Sequence, residues 1–198
     1  MTANITKDYR KVNLPGMQAN PAEYTTTQVT TGSINPLLSA GVIRPLDDLI
    51  AEYGQDIPEN QKVVIDGKVR AIAYMVATQH LVYRQDVLDQ VGAEPPKTYE
   101  EFLEIAEKVR AAGIMENPVG GAFNLFGLGT HFIMMHFGMG GELFKPGTAL
   151  PAVNNETGVA ALEMLKKVLG YAHPDILTHN NPTATGEWEA GNVALMMM

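Results

Sequence analysis

Two glutamates that flank a tryptophan are the first residues whose types could perform chemistry. Glu187 and Glu189 lie on either side of Trp188, and paired carboxylates can act as acid and base in the hydrolysis of glycosides. Two acidic residues on a solvent-facing helix would produce the same pattern. A carbohydrate-active hydrolase that uses Glu187 or Glu189 therefore stands as the alternative to a protein without catalysis.

The remaining residues with reactive side chains do not form a catalytic or metal-binding pattern. Cysteine is absent, which excludes thiolate nucleophiles and zinc–thiolate sites. His131 and His136 are five residues apart, whereas two metal ligands on one helix face need a spacing of four. Met134 and Met135 lie in an apolar run and indicate core packing rather than a soft-metal site. We therefore expect no catalytic residue, no metal site and no cofactor.

Neutral polar and aromatic residues near the ends of predicted strands form the candidate binding site. In open α/β sheets, ligands bind outside the carboxyl ends of the strands. Amides and hydroxyls can match the hydroxyls of an uncharged ligand, and an aromatic side chain can face its ring. Taken singly, each of these residues is also an ordinary turn residue. The predicted ligand-binding residues are Gln28, Thr30, Thr31, Ser33, Tyr74, Thr78, Gln79, Asn124, Thr130 and His131.

Short strands that alternate with helices must position these residues, and the alternation predicts an α/β protein with a largely parallel sheet. A hairpin is expected around the Asp66-Gly67 turn. The clearest helix follows Thr98, which forms a capping box with Glu101 ahead of apolar residues at helical spacing. The polar first 24 or so residues predict loop or weak strand.

A second helix is expected from Thr130 to Phe137, with the stretch from Gly127 to His131 counted among the polar loops. The continuous apolar run from Val193 to Met198 predicts a strand that is buried on both faces. A turn and polar residues normally follow such a strand. We therefore expect the chain to be a piece of a longer protein.

Charge and hydropathy exclude two classes of partner. The 14 Lys and Arg are outnumbered by 22 Asp and Glu, for a net charge of −8, so nucleic-acid binding is not expected. No stretch approaches the ~18 apolar residues of a membrane-spanning helix. The first residues lack the basic and apolar regions of a signal peptide, and none is expected in this chain.

Five segments in order resemble extracellular solute-binding proteins of ABC sugar importers, the family typified by maltose-binding proteins. The similarity extends over about Gln28 to Met198, and Ala73 stands where that family usually has proline. The segments are the Leu38–Asp48 stretch with its Pro-Leu-Asp-Asp, the Gly67–Tyr74 strand pair, the Leu81–Leu88 Leu-x-Tyr-x-x-Asp stretch, Pro96–Phe102 and the late Glu187–Met196 strand region.

The resemblance implies a periplasmic-binding-protein-like fold of two α/β lobes, with mostly parallel sheets joined by hinge strands. Residues 1–78 would form an incomplete first lobe and residues 79–198 most of the second. The implied ligand contacts are the Thr30–Ser33 loop, the Tyr74–Gln79 crossing and the Gly127–His131 segment, which coincide with the polar residues above.

The resemblance also implies a function. The protein would be the substrate-binding component of an ABC transporter, would capture a sugar or related polyol by lobe closure without catalysis, and would deliver it to permease subunits in the membrane. The full-length parent would be periplasmic or extracellular. Exposed edges of an incomplete sheet also predict self-association. An interaction domain without a small-molecule ligand is a third reading.

Overall fold

The structure is a computed structural model and describes residues 9–30 and 32–198 of the chain. It is mixed α/β and divides into two compact units, one up to Ala77 and one from Thr78 onward. In the first unit the elements are α1 (Tyr9–Gln18), α2 (Ile34–Ser39), α3 (Asp47–Tyr53), β1 (Lys62–Ile65) and β2 (Lys68–Ile72). In the second they are β3 (Leu81–Tyr83), α4 (Gln85–Gln90), α5 (Tyr99–Ala111), β4 (Val119–Gly121), α6 (Leu125–Gly138), α7 (Glu156–Leu169), α8 (Asn181–Glu189) and β5 (Leu195–Met197).

The first unit contains the predicted hairpin. Strands β1 and β2 pair antiparallel, with Ile65 opposite Lys68. Asp66 and Gly67 both adopt positive φ, 52° and 68°, as the two central residues of a type I′ turn require. The hairpin expected from the Asp-Gly dipeptide is confirmed.

Helix α1 contradicts the prediction of loop or weak strand for the start of the chain; residues 1–8 lie outside the described part. Its sequence has no apolar face at helical spacing, so the local pattern gave no helix signal. The helix is held by contacts with residues further along the chain. Asn13 is buried and donates from Nδ2 to the Gln28 carbonyl oxygen at 2.8 Å. Gly16 packs against the Tyr24 ring so closely that a Cβ there would lie 2.2 Å from it.

The second unit is built on a three-stranded sheet in the order β3-β5-β4. Strand β5 lies in the centre, and Leu195, Met196 and Met197 are all buried, as the continuous apolar run predicted. Strands β4 and β5 are parallel, whereas β3 and β5 are antiparallel.

The expectation of mostly parallel sheets is therefore wrong for the described residues. Two of the three strand pairings, β1 with β2 and β3 with β5, are antiparallel. A two-residue turn can join only antiparallel strands, which explains the hairpin. The parallel pair β4 and β5 is connected through α6, α7 and α8, the kind of long crossover that parallel pairing requires.

Helices α5 and α7 supply the largest shares of the hydrophobic core of the second unit, and α4 and α6 add fewer residues to it. Helix α5 begins where predicted: Thr98 Oγ1 accepts from the Glu101 N–H at 3.1 Å. The Glu101 carboxylate accepts from the Lys97 N–H at 2.6 Å, one residue before the position of a standard capping box. The core includes Leu88, Phe102, Ile105, Val109, Phe123, Met135, Leu165, Val168 and Leu195.

Within residues 9–30 and 32–198, none of the helices combines the length and the apolar character needed to cross a membrane.

Candidate ligand-binding site

In the first unit, the predicted polar loop forms a small network of hydrogen bonds before α2. The Ser33 hydroxyl accepts from the Thr30 N–H at 2.8 Å and lies 3.1 Å from Thr30 Oγ1. Both side chains are partly buried, while Gln28 is exposed. Thr31 lies outside the described residues. The loop therefore offers an exposed amide and two hydroxyls whose orientation is fixed by each other.

Tyr74 is also in the first unit and presents its side chain to solvent. Its exposed fraction is 71%, and the neighbouring Met75 and Val76 are 70% and 78% exposed. An exposed tyrosine of this kind offers an apolar ring face together with a hydroxyl. This combination suits a ligand that has both a ring and hydroxyl groups.

In the second unit, Thr78 and Gln79 lie directly before β3 and are exposed. Thr78 Oγ1 is 2.6 Å from His80 Nε2. The backbone of His80 exchanges two hydrogen bonds with Met198, at 2.7 and 3.0 Å. That pairing extends the β3–β5 ladder and fixes the backbone next to the two predicted residues.

Asn124 begins α6. Its Oδ1 accepts from the Gly127 N–H at 3.0 Å, and its own N–H donates to the His179 carbonyl oxygen at 2.9 Å. A Cβ at Gly127 would lie 1.8 Å from the Ala122 carbonyl oxygen, so the first turn of the helix approaches the preceding backbone closely. Asn124 is thus the N-cap residue of this helix.

The structure corrects the expected loop from Gly127 to His131, because these residues are helical and α6 begins at Leu125. The apolar residues after Gly129 made the helix visible in the sequence, whereas the two glycines concealed its first turns. The side chain of Thr130 donates to the Phe126 carbonyl oxygen one turn earlier, at 3.3 Å. That hydroxyl is therefore tied to its own helix.

His131 lies inside the second unit, with only 3% of its surface exposed. Its ring stacks on Phe123, with the ring centroids 4.1 Å apart and the planes 23° from parallel, and Nδ1 has no hydrogen-bond partner. Burial lowers the pKa of His131 from 6.5 to about 4, against a hydrogen bond to the Ala122 backbone that raises it. The imidazole is therefore neutral at pH 7, and its stacking on Phe123 packs α6 against the interior of the second unit.

Two exposed apolar residues at the start of α6 were not among the sequence-derived candidates. Leu125 is 91% exposed and Phe126 is 71% exposed. Phe126 is the second residue of α6 after the N-cap Asn124, and an aromatic residue in the first turn after a helix cap is the signal that would have identified it. Phe126 is therefore an exposed aromatic residue of the second unit, as Tyr74 is of the first.

The geometry does not support the paired-carboxylate alternative. Glu187 and Glu189 both lie on α8, and residues two apart are separated by about 200° around a helix axis. The Glu187 carboxylate accepts from Asn192 Nδ2 at 2.8 Å, and Glu189 is exposed. The two side chains diverge and do not flank one bond of a substrate.

A group that the sequence analysis did not combine is His173, Asp175 and His179. Asp175 Oδ1 is hydrogen-bonded to His173 Nδ1 and, at 3.0 Å, to His179 Nε2. The hydrogen bond to His173 holds the pKa of the Asp175 carboxyl below its ordinary value. Considering histidines together with aspartates, at spacings of two and four, would have found this group.

The family of the chain follows from comparison with known proteins. A family model described as bacterial extracellular solute-binding protein matches residues 17–198. The chain belongs to this family. The resemblance drawn from the five ordered segments is thereby confirmed, and membership places the chain among solute-binding proteins and not among enzymes.

Two curated relatives of this solute-binding protein are considerably longer. A probable ABC transporter-binding protein of Deinococcus radiodurans is 33% identical over 145 residues, which cover 69% of this chain and 34% of the relative. The sn-glycerol-3-phosphate-binding periplasmic protein of Agrobacterium fabrum is 28% identical over 86 residues, 38% of this chain and 20% of the relative. The chain matches about a third of the first relative and a fifth of the second.

Solved structures share the fold of this solute-binding protein over about half of their own length. A protein studied for xylan utilization by Caldanaerobius polysaccharolyticus has a TM-score of 0.76 at 16% identity, covering 100% of this chain and 52% of that one. An Agrobacterium vitis ABC transporter solute-binding protein with bound D-mannitol has 0.72 at 15%, covering 96% and 48%. A maltose-bound protein of T. maritima has 0.66 at 18%, covering 78% and 41%.

Proposed function

We propose that the chain is part of the solute-binding component of an ABC importer and that its solute is a sugar or a related polyol. The observation that carries this proposal is the family match over residues 17–198. The Deinococcus radiodurans relative, a probable ABC transporter-binding protein, supports the transporter context. Bound maltose and D-mannitol in two structural neighbours support the class of solute.

The partners follow from the same assignment. The solute would be passed to permease subunits in the membrane, and the parent protein would act in the periplasm or outside the cell. Residues 1–78 and 79–198 would belong to two lobes that close on the solute, a hinge motion common among periplasmic binding proteins. No bond of the solute is broken in this process.

The side chains on offer favour an uncharged, hydroxyl-rich solute. In the first unit, Gln28 supplies an exposed amide, Thr30 and Ser33 supply hydroxyls, and Tyr74 supplies an exposed ring. Amides and hydroxyls can both donate to and accept from solute hydroxyls. A ring face that leaves water on contact with a sugar contributes apolar burial.

In the second unit, Thr78 and Gln79 supply exposed polar groups and Phe126 an exposed ring. Asn124 and Thr130 contribute to the start of α6, where their side chains already bond the helix backbone. We assign His131 the role of supporting this helix from the interior, since it is buried against Phe123.

Calorimetric titration of the 198-residue chain with maltose, D-mannitol and sn-glycerol 3-phosphate tests the proposal. We expect heat of binding with at least one of the first two. Binding of the phosphate ester alone would contradict the neutral-solute assignment. Absence of binding heat with all three compounds would contradict solute binding by this chain.

Tyr74→Ala tests the role of the aromatic residue, and Tyr53→Ala is a matched control. Both tyrosines belong to the first unit and are similarly exposed, 71% and 74%. Loss of a stacked ring worth about 1 kcal/mol should weaken binding roughly fivefold in Tyr74→Ala. An equal effect in both variants, or in neither, would remove Tyr74 from the site.

A further inference from the structure

Three potential metal ligands meet where the chain leaves α7. The helix ends at Leu169, and the chain continues through His173 and Asp175 into a single 3₁₀ turn, Ile176–Thr178. That turn reverses the chain far enough to bring His179 back to Asp175. Sequence separations of two and four residues therefore become one side-chain cluster.

The donor atoms of this cluster converge. Asp175 Oδ1 is hydrogen-bonded to His173 Nδ1, and it lies 3.0 Å from His179 Nε2. One donor atom from each residue lies within 4.8 Å of the other two. Metal–ligand bonds of about 2.1 Å place tetrahedral ligands about 3.4 Å apart, so small side-chain rotations suffice to surround an ion.

One ligand is rigid and two are accessible. His179 is 6% exposed, and its backbone is held on both sides. The backbone N–H donates to the Ile176 carbonyl oxygen at 3.0 Å, and the backbone carbonyl oxygen accepts from the Asn124 N–H at 2.9 Å. The side chains of His173 and Asp175 are 57% and 58% exposed. An ion can thus reach His173 and Asp175 from solvent, and the third ligand, His179, is already held in position beside them.

The surroundings favour a cation. The three residues line an open depression of about 490 Å³, and the described residues around it include the carboxylates of Glu116 and Glu187 but no lysine. Arg84 lies close to Gly191 on the rim. Its guanidinium is paired with Asp86 at 2.8 and 3.1 Å, so much of its charge is already balanced.

From this geometry we infer that His173, Asp175 and His179 bind a divalent transition-metal ion of the zinc type. Two imidazoles and one carboxylate form a ligand set that zinc accepts, with a fourth position left for water or another oxygen ligand. The bound ion would tie the end of α7 to His179, whose carbonyl oxygen holds Asn124 at the start of α6. Metal binding would therefore stabilise the second unit of the fold.

The same three side chains could instead serve only as a hydrogen-bonded link, in which Asp175 joins two imidazoles. The metal-site hypothesis and the hydrogen-bond hypothesis predict different effects on metal affinity when one of the three side chains is removed. A hydrogen-bonded link alone would give the chain no stoichiometric affinity for zinc, and its loss would change stability without changing any metal signal.

Titration of the purified full chain with Zn²⁺, followed by calorimetry, measures the affinity and stoichiometry directly. Co²⁺ serves as a second probe, because its visible absorption reports a low-coordinate site with nitrogen and oxygen ligands. The variants are His173→Gln and Asp175→Asn, both at exposed positions, and circular dichroism verifies that each is folded. His80→Gln is the control, since His80 is an exposed histidine outside the cluster.

We expect one equivalent of Zn²⁺ to bind to the wild-type chain and to His80→Gln, with a rise in melting temperature. Affinity should fall at least about tenfold in His173→Gln and in Asp175→Asn, since even indirect partners of a metal site contribute that much. Absence of stoichiometric binding, or equal affinity in the wild-type chain and the cluster variants, would overturn the inference. Equal loss in His80→Gln would do so as well.

Discussion

The buried imidazole of His131 should make the stability of this protein depend on pH. Burial lowers its pKa from 6.5 to about 4 in the folded chain. Between these values the unfolded chain binds a proton that the folded chain does not, so acidification favours unfolding. The stability associated with the neutral ring is therefore complete above pH 6.5 and is lost as the pH falls towards 4.

The size of the effect follows from the shift. A shift of one pKa unit corresponds to about 1.4 kcal/mol, so the lowering of about 2.5 units corresponds to about 3 kcal/mol of unfolding free energy. The value applies to a side chain that is 3% exposed and stacked on Phe123, where solvent screening is weak. A loss of this size is a large part of the stability of an ordinary domain.

Two substitutions isolate His131 from the other groups that titrate. His131→Phe keeps a ring against Phe123, and His131→Gln keeps a donor for the Ala122 backbone; neither side chain ionises. Urea unfolding at pH values from about 7 to about 4 gives the free energy for each protein. Asp86 and Asp175, whose pKa values are lowered by Arg84 and His173, contribute equally to all three proteins and cancel in the comparison.

We expect the wild-type chain to lose about 3 kcal/mol more than either variant over this range. Proton NMR of the His131 ring provides a direct check, because its resonances should stay at their neutral positions until well below pH 6. The reasoning fails if the ring titrates near its ordinary pKa, or if the three proteins lose stability in parallel.

Three further predictions concern local packing, a helix cap and assembly. Gly127→Ala should unfold more easily than the wild type in urea, because its Cβ would meet the Ala122 carbonyl oxygen. Gly129→Ala is the control: no atom lies within 4 Å of the new Cβ, and the variant should gain up to about 1 kcal/mol because the unfolded backbone has less entropy. Equal effects of the two substitutions would refute the contact at Gly127. Thr98→Ala should cost about 1 kcal/mol in the same assay, because it loses the hydrogen bond from the Glu101 N–H, and an unchanged midpoint would refute that value. Self-association through exposed sheet edges should appear in sedimentation velocity, and a single monomeric species would contradict it.

Elements with a strong local signal could be predicted from the sequence. The Asp66-Gly67 turn encodes its hairpin because both residues tolerate positive φ, and the structure places both there. Helix α5 follows from Thr98 and the apolar spacing behind it. In each case the residues that determine the structure are neighbours in the chain, so their pattern is readable without tertiary information.

Elements that depend on distant contacts could not be predicted in this way. Helix α1 rests on Asn13 and Gly16, whose partners lie fifteen and eight residues further along the chain, respectively. The first turns of α6 contain Gly127, a residue that reads as loop in sequence but is required here by the proximity of Ala122. The strand directions were also outside the reach of local patterns, since β3 and β5 are more than a hundred residues apart.

The same distinction between local patterns and distant contacts applies to the candidate site. The linear chain alone specifies the residue types of the site, which are neutral amides, hydroxyls and an aromatic ring. It also specifies the order of segments that marks the family. Tertiary packing, in contrast, buries His131, leaves Phe126 exposed and brings His173 and His179 to the carboxylate of Asp175. Burial and convergence depend on which distant segments pack together, and no local pattern carries that information.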